Sequence, residues 1–227
     1  MSEVVAIVEG QTEQTFVRDH LATHLGAYGI AIWAVLSGKS RRHGGVRRWA
    51  SARGDIVRTL KEGRYVTTMF DFYAMPGDWP GRAEAGRLPW NQRGAHVEQG
   101  IMQAIAEAVG DSFDSRQLIP YVQVHEFEAL LFADVANMAE TLAPVSRTGV
   151  ARLSTEFQAI LDDAGQAEAI DDSYETCPSR RIASIVPAYQ KPLHGPIAAG
   201  KIGFDVLRAA CPHFGHWLGR LEALGNG

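Results

Sequence analysis

The chain has 227 residues, 46% of them hydrophobic, and a net charge of −4, enough to bury a sizeable core in one large domain or in a core with a smaller appendage. Cys177 and Cys211 are its only cysteines, too few and too isolated for a disulfide framework or a zinc site, which points to reduced thiols. The mildly acidic balance excludes a protein that coats nucleic acid by bulk electrostatics, and the lack of a basic leader or an apolar run near ~18 residues predicts a cytoplasmic protein with no membrane partner.

In chain order, the first apolar run, residues 4–8, reads as a strand that delivers Glu9 at its end. Gly10 allows a sharp turn, Thr12 suits an N-cap, and Phe16, Val17, Leu21 and Leu25 predict a helix over 14–25. A carboxylate at the C-terminal end of such a strand lies where α/β sheets form ligand crevices. Glu13 fits the first helical turn, where the macrodipole favours an acid. A second strand is expected over 30–36, followed by the basic run Lys39, Arg41, Arg42, Arg47 and Arg48, which continues to Arg64 against only Asp55 and Glu62. That run suits backbone phosphates or a solvated face.

A helix over 50–61 leads to a strand over 65–70 that ends in Asp71. The long Pro/Gly-rich loop 75–94 reads as a functional cover or a connector. A helix over 96–109 then precedes a strand over 118–124 that runs into His125-Glu126-Phe127-Glu128. Strands alternating with helices predict an α/β core with a mostly parallel sheet. Three parallel strands that each end in carboxylate bring Glu9, Asp71 and Glu126 or Glu128 to one edge. Such hard oxygen donors suit Mg²⁺ or Mn²⁺. Glu126 and Glu128 share a face on a strand and diverge on a helix, so the choice between them stays open. His125 is expected to orient a carboxylate.

Beyond 133 the pattern turns helical, and residues 134–227 are expected to pack as a helical extension on a core of 1–133. Arg180 and Arg181 follow Ser179, a good N-cap, and cations at a helix start hint at an anionic partner. Lys191 and Lys201 add to this group of phosphate-contacting candidates. His213 and His216, three apart beside Trp217, read as packing residues. Two segments imitate a phosphate-binding loop, Ser37-Gly38-Lys39-Ser40 and Gly195 through Lys201. The first has Trp33 where a glycine belongs and the second has Ile202 in place of the hydroxyl, so neither reads as an ATP site.

With Glu9 and Asp71 after the first and third strands, the chain resembles the Toprim superfamily of topoisomerases, primases and overcoming-lysogenization-defect nucleases. The second acid of the superfamily's DxD motif is replaced by Tyr73, for which Glu126 and Glu128 are the evident substitutes. The runs VEGQTE, TTMFDFYAMPGDWPG, PYVQVHEFEALLF, PSRRI and HGPIAAGKIGFDVLRAACPHFGHWL more closely resemble the Toprim-like bacterial family known as domain of unknown function forty-two seventy-six. The resemblance implies a nuclease-like subunit that works beside a separate ATPase, as in anti-phage defence or DNA repair. The expected activity is Mg²⁺- or Mn²⁺-dependent hydrolysis of DNA or RNA. The alternatives are a catalytically inactive subunit that binds nucleic acid or an ATPase, and a metal-dependent phosphatase of small molecules. Oligomeric state is left open.

Overall fold

The computed structural model of the protein describes residues 2–38, 48–170 and 176–226. Lys39, Arg41, Arg42 and Arg47 of the basic run lie outside the described residues, as do Asp171, Asp172 and Glu175. Three seven-residue strands, β1 (Ser2–Val8), β2 (Ile30–Leu36) and β3 (Tyr65–Asp71), form the sheet with two short ones, β4 (Leu118–Ile119) and β5 (Val122–Gln123). The order is β2-β1-β3-β4, with β5 also on β3, and every ladder is parallel. This is the expected α/β architecture, with the helical character concentrated in the C-terminal half.

Period-two alternation divides the strand side chains between two cores. Val4, Ala6 and Val8 face one side with Ile30, Ile32 and Met69, covered by α1 (Gln11–Phe16), α2 (Ala22–Gly26) and helices from the C-terminal half. Val5, Ile7, Val66 and Phe70 face the other, under α3 (Trp49–Lys61) and α5 (Trp90–Val109). The first core runs unbroken from Val4 to Leu221. The loop expected over 75–94 is packed: Met75, Trp79 and Ala85 bury into the second core, and α4 (Arg82–Ala85) forms within it.

The strand expected over 118–124 is split into β4 and β5. Pro120 has no N–H to give, and hydroxyls on β3 mend the gap. Thr68 Oγ1 donates to Tyr121 O and accepts from Tyr121 N, both at 2.8 Å, while Thr67 Oγ1 donates to Ile119 O at 2.6 Å and accepts from Trp217 Nε1.

After a 3₁₀ stretch, Phe127–Ala133, come α6 (Val135–Leu142), α7 (Val150–Ala164), α8 (Pro178–Ile185), α9 (Lys191–Ile202), α10 (Phe204–Ala210) and α11 (Pro212–Glu222). Gly195 and Gly200, the glycines of the second segment that imitated a phosphate loop, lie inside α9, which packs on α1 and the π turn Val17–Leu21 that follows it. A Cβ on Gly200 would stand 2.1 to 2.6 Å from the His20 ring, so this glycine is there for close helix approach. No described helix is long and apolar enough to cross a membrane.

Candidate active site

The C-terminal edges of β1 and β3 carry the first two acids. Glu9 follows β1 and its N–H continues the ladder to Met69 O at 3.1 Å. Its side chain crosses to the next strand, where Oε2 accepts from Asp71 N at 3.1 Å. Asp71 Oδ1 in turn accepts from Phe127 N at 2.9 Å. That bond ties β3 to the segment after β5, where His125 has the left-handed φ of 63°. Such a conformation is uncommon for a side chain with a Cβ. It turns the chain from β5 into the 3₁₀ stretch, while His125 O still accepts from Tyr73 N at 2.9 Å.

Beyond that turn, Glu126 and Glu128 diverge. Glu126 Oε2 accepts from Ser179 N at 2.9 Å, so it caps the start of α8, whose N-cap position is Cys177. Glu128 is fully buried; its Oε1 accepts from Tyr189 Oη at 3.1 Å and its Oε2 pairs with Lys191 Nζ at 2.8 Å. Lys191, at the first position of α9, also pairs with Asp71 Oδ2 at 3.0 Å.

A fifth carboxylate joins from α1. The helix begins at Gln11 with Gly10 as its N-cap, a turn earlier than expected. Glu13 then takes the third helical position and reaches back to accept from Gly10 N at 2.9 Å. That is the reach of a capping-box glutamate. Only 3% of Glu13 is exposed.

Burial raises Glu9 from an ordinary 4.5 to about 7, with the neighbouring Asp71 adding to it. The same two causes raise Glu13 to about 8. Burial also raises Glu128 to about 7 against the pull of Lys191, and Asp71 is shifted upward for the same reason. Burial alone would lower Lys191, but Asp71, Glu128, Glu126 and Glu13 together hold it well above the usual lysine value. The cluster is therefore short of positive charge. One ammonium faces five carboxyl groups, and protons make up part of the difference near neutral pH.

Each of the five has one oxygen fixed by a donor of the protein: Asp71 N, Gly10 N, Phe127 N, Ser179 N and the Tyr189 hydroxyl. Orientation through one oxygen is how outer-shell contacts prepare carboxylate ligands. Among the described residues no three Asp, Glu, His or Cys side chains stand as a ready metal cage. The Lys191 ammonium lies between Asp71 and Glu128. The donor set nonetheless fits a hard divalent cation, being all oxygen, anionic and held partly protonated by its own crowding.

Of the other candidates, Arg48 is exposed just before α3, Arg180 is exposed and Arg181 half-buried at the start of α8, and Lys201 is exposed on α9. Among the described residues, Lys191 alone of the expected phosphate contacts sits inside the acidic cluster. His213 Nε2 lies 2.9 Å from Glu98 Oε1 and its ring stacks on Tyr121, well within the interior. Glu13 was legible as a cluster member from its place three residues after Gly10, had the helix start been set at Gln11. Lys191 and Tyr189 carried no local signal.

The chain belongs to the family described as "Domain of unknown function (DUF4276)", whose profile matches residues 8–222. No curated protein matches it. Among solved structures it is similar to the "C-terminal region of the Xanthomonas campestris pv. campestris OLD protein". One crystal phased with iodine gives a TM-score of 0.44 at 17% identity, covering 100% of this chain and 97% of that one. A second, phased with mercury, gives 0.44 at 18% identity with the same coverage.

Proposed function

We propose that this member of the family is a Mg²⁺- or Mn²⁺-dependent phosphodiester hydrolase acting on nucleic acid, with Glu9, Asp71 and Glu128 as the metal-holding residues. The observation that carries the reading is the overcharged cluster of pre-oriented carboxylates at the C-terminal edge of a parallel sheet, where such folds place their ligands. A divalent cation there would supply charge neutralisation for a phosphate group and a more acidic bound water.

The chain's own residues divide the remaining work. Asp71, fixed through Oδ1, and Glu128, fixed through Oε1, each direct a second oxygen to the same ammonium. Lys191 has three donors, two of them used by these acids, and its third suits a phosphate oxygen. Glu9, with Oε2 engaged by Asp71 N, keeps Oε1 for the cation. Glu13, raised to about 8, stands behind it as a largely protonated carboxyl group. Glu126, engaged by Ser179 N, anchors α8 against the site and serves as a further ligand through its second oxygen. Arg48, Arg180, Arg181 and Lys201, with the basic run before α3, would set affinity for backbone phosphates more than sequence choice.

The test is cleavage of single-stranded, duplex and supercoiled nucleic acid with Mn²⁺ or Mg²⁺. The wild type is expected to cut, and Asp71→Asn and Glu128→Gln to lose at least ~10³-fold while melting normally. Full activity in both variants overturns the reading. One observation favours a second reading, a binding subunit without catalysis: Lys191 already occupies a cation's place between Asp71 and Glu128, and Tyr73 stands where an acid would complete a DxD pair. Binding of nucleic acid with no uptake of Mn²⁺ at millimolar concentration would decide for it.

A further inference from the structure

Both oxygens of Glu128 are held by one short stretch of chain. Tyr189 Oη donates to Oε1 at 3.1 Å and Lys191 Nζ pairs with Oε2 at 2.8 Å, two residues apart at the entry to α9. The same ammonium holds Asp71 Oδ2 at 3.0 Å, while Asp71 Oδ1 is fixed by Phe127 N. Tyr189 Oη and Phe127 N thus leave one oxygen of each acid directed to a single point. A metal ion that took both oxygens would need the place where the ammonium stands. Two positive charges crowded together away from water repel strongly, so ammonium and metal exclude each other there.

Of the groups that meet at this point, only the lysine side chain is built to move. Asp71 and Glu128 are buried. The backbone that carries Lys191 is anchored: Gln190 N donates to His194 Nδ1 at 2.8 Å within the first turn of α9, and a Cβ on Gly195 would stand 3.2 Å from Tyr189 Oη. The Lys191 side chain, by contrast, is 32% exposed, and its four-carbon stem is flexible. The ammonium can therefore swing towards solvent while α9, Asp71 and Glu128 stay in place. Once off the two carboxylates it needs another anion, and a phosphate oxygen is a fitting one. We propose that Lys191 is a place-holder: its ammonium occupies the metal position in the resting protein and passes to a substrate phosphate when a divalent cation takes Asp71 and Glu128, so that metal and phosphate bind cooperatively. Such an exchange deepens the hydrolase reading and rests on the metal site it assigns. By linkage, whatever the phosphate adds to metal affinity the metal adds to phosphate affinity. Metal alone must expel an ammonium that has nowhere to go, and a strand alone meets an ammonium already engaged.

The test has three readings on the wild type and Lys191→Met. In Mn²⁺ titration followed by the paramagnetic resonance of free Mn²⁺, with no nucleic acid present, Lys191→Met is expected to bind about tenfold more tightly than the wild type. In fluorescence anisotropy of a labelled phosphorothioate oligodeoxynucleotide, which resists cleavage, Mn²⁺ should tighten binding to the wild type about tenfold and leave Lys191→Met nearly unchanged. In the wild type alone, Mn²⁺ should raise the rate at which Lys191 is acetylated, read by peptide mass spectrometry, and added strand should lower it again. Should Lys191→Met fail to fold, acetylation and anisotropy of the wild type carry the test. Equal Mn²⁺ affinity in the two proteins, or acetylation of Lys191 that Mn²⁺ leaves unchanged, overturns the exchange; if the wild type still takes up Mn²⁺ and cuts nucleic acid, the hydrolase stands. Mn²⁺-driven exposure of Lys191 in a protein that never cuts supports the exchange and removes the hydrolase. No uptake of Mn²⁺ by either protein overturns both.

Discussion

The molecule buries two groups of acids against the same sheet and treats them in opposite ways. Behind β5, Glu98 accepts from Val122 N at 2.9 Å and faces His213 Nε2 at 2.9 Å. Glu168 accepts from His213 N and Phe214 N, both at 3.0 Å, and so caps α11. Each of these carboxylates meets two donors, as Asp71 and Glu128 also do; what differs is that here, among the described residues, no crowd of acids shares one cation. Around Lys191 five carboxyl groups crowd together, and three of them have pKa values of about 7 to 8. This excess of acid is what the proposed divalent cation would relieve.

The largest effect expected from breaking this contrast is on activity. Asp71→Asn should abolish cleavage and leave the melting temperature unchanged or higher, because it removes a crowded charge. Glu168→Ala should do the opposite: it orphans two buried N–H groups at the start of α11, at a cost of about 2–4 kcal/mol, and leaves activity per folded molecule intact. Melting curves beside cleavage rates separate the two.

The next effect is on the pH dependence of stability. Glu13 is raised from 4.5 to about 8 and Glu128 to about 7. A carboxyl group that keeps its proton longer in the native state contributes stability that is full below pH 4.5 and is lost as pH rises through the folded value. Without metal the protein should therefore lose several degrees in melting temperature between pH 5 and pH 8.5. Glu13→Gln should flatten that slope, and a slope unchanged in this variant would contradict the account of the cluster's charge.

A smaller, sharper change is Tyr189→Phe. It removes the hydroxyl that fixes Glu128 Oε1 and should lower kcat about tenfold, with circular dichroism unaltered. The smallest is Gly200→Ala, whose added methyl meets the ring of His20. That ring can swing aside, so the cost is about 1 kcal/mol, read by chemical denaturation, with the site undisturbed.

The parts of the fold governed by local pattern were legible. Alternating apolar residues and the turn after each run placed β1, β2, β3 and their flanking helices, and the strand ends named Glu9, Asp71 and the acids after β5. What escaped depended on other kinds of information. Pro120 splits the last strand, and the repair by Thr67 and Thr68 depends on side chains of a different strand. Glu13 was expected in the first helical turn and lies there, but its burial beside Asp71 depends on tertiary packing that the local pattern does not carry. Lys191 was expected as a phosphate contact, with nothing in the sequence to tie it to the acids. Only the packing of α9 on α1 and the turn after it, where Gly195 faces Thr12 and Gly200 faces His20, carries it to Asp71, 120 positions earlier in the chain.

The contrast between the matched and the overcharged acids is tested most directly by calorimetric titration of Mn²⁺ into the wild type and into Asp71→Asn and Glu128→Gln at pH 8. The account predicts saturable binding with proton release by the wild type, and at least tenfold weaker binding by each variant. No binding by the wild type at millimolar Mn²⁺, or equal binding by all three proteins, would contradict it.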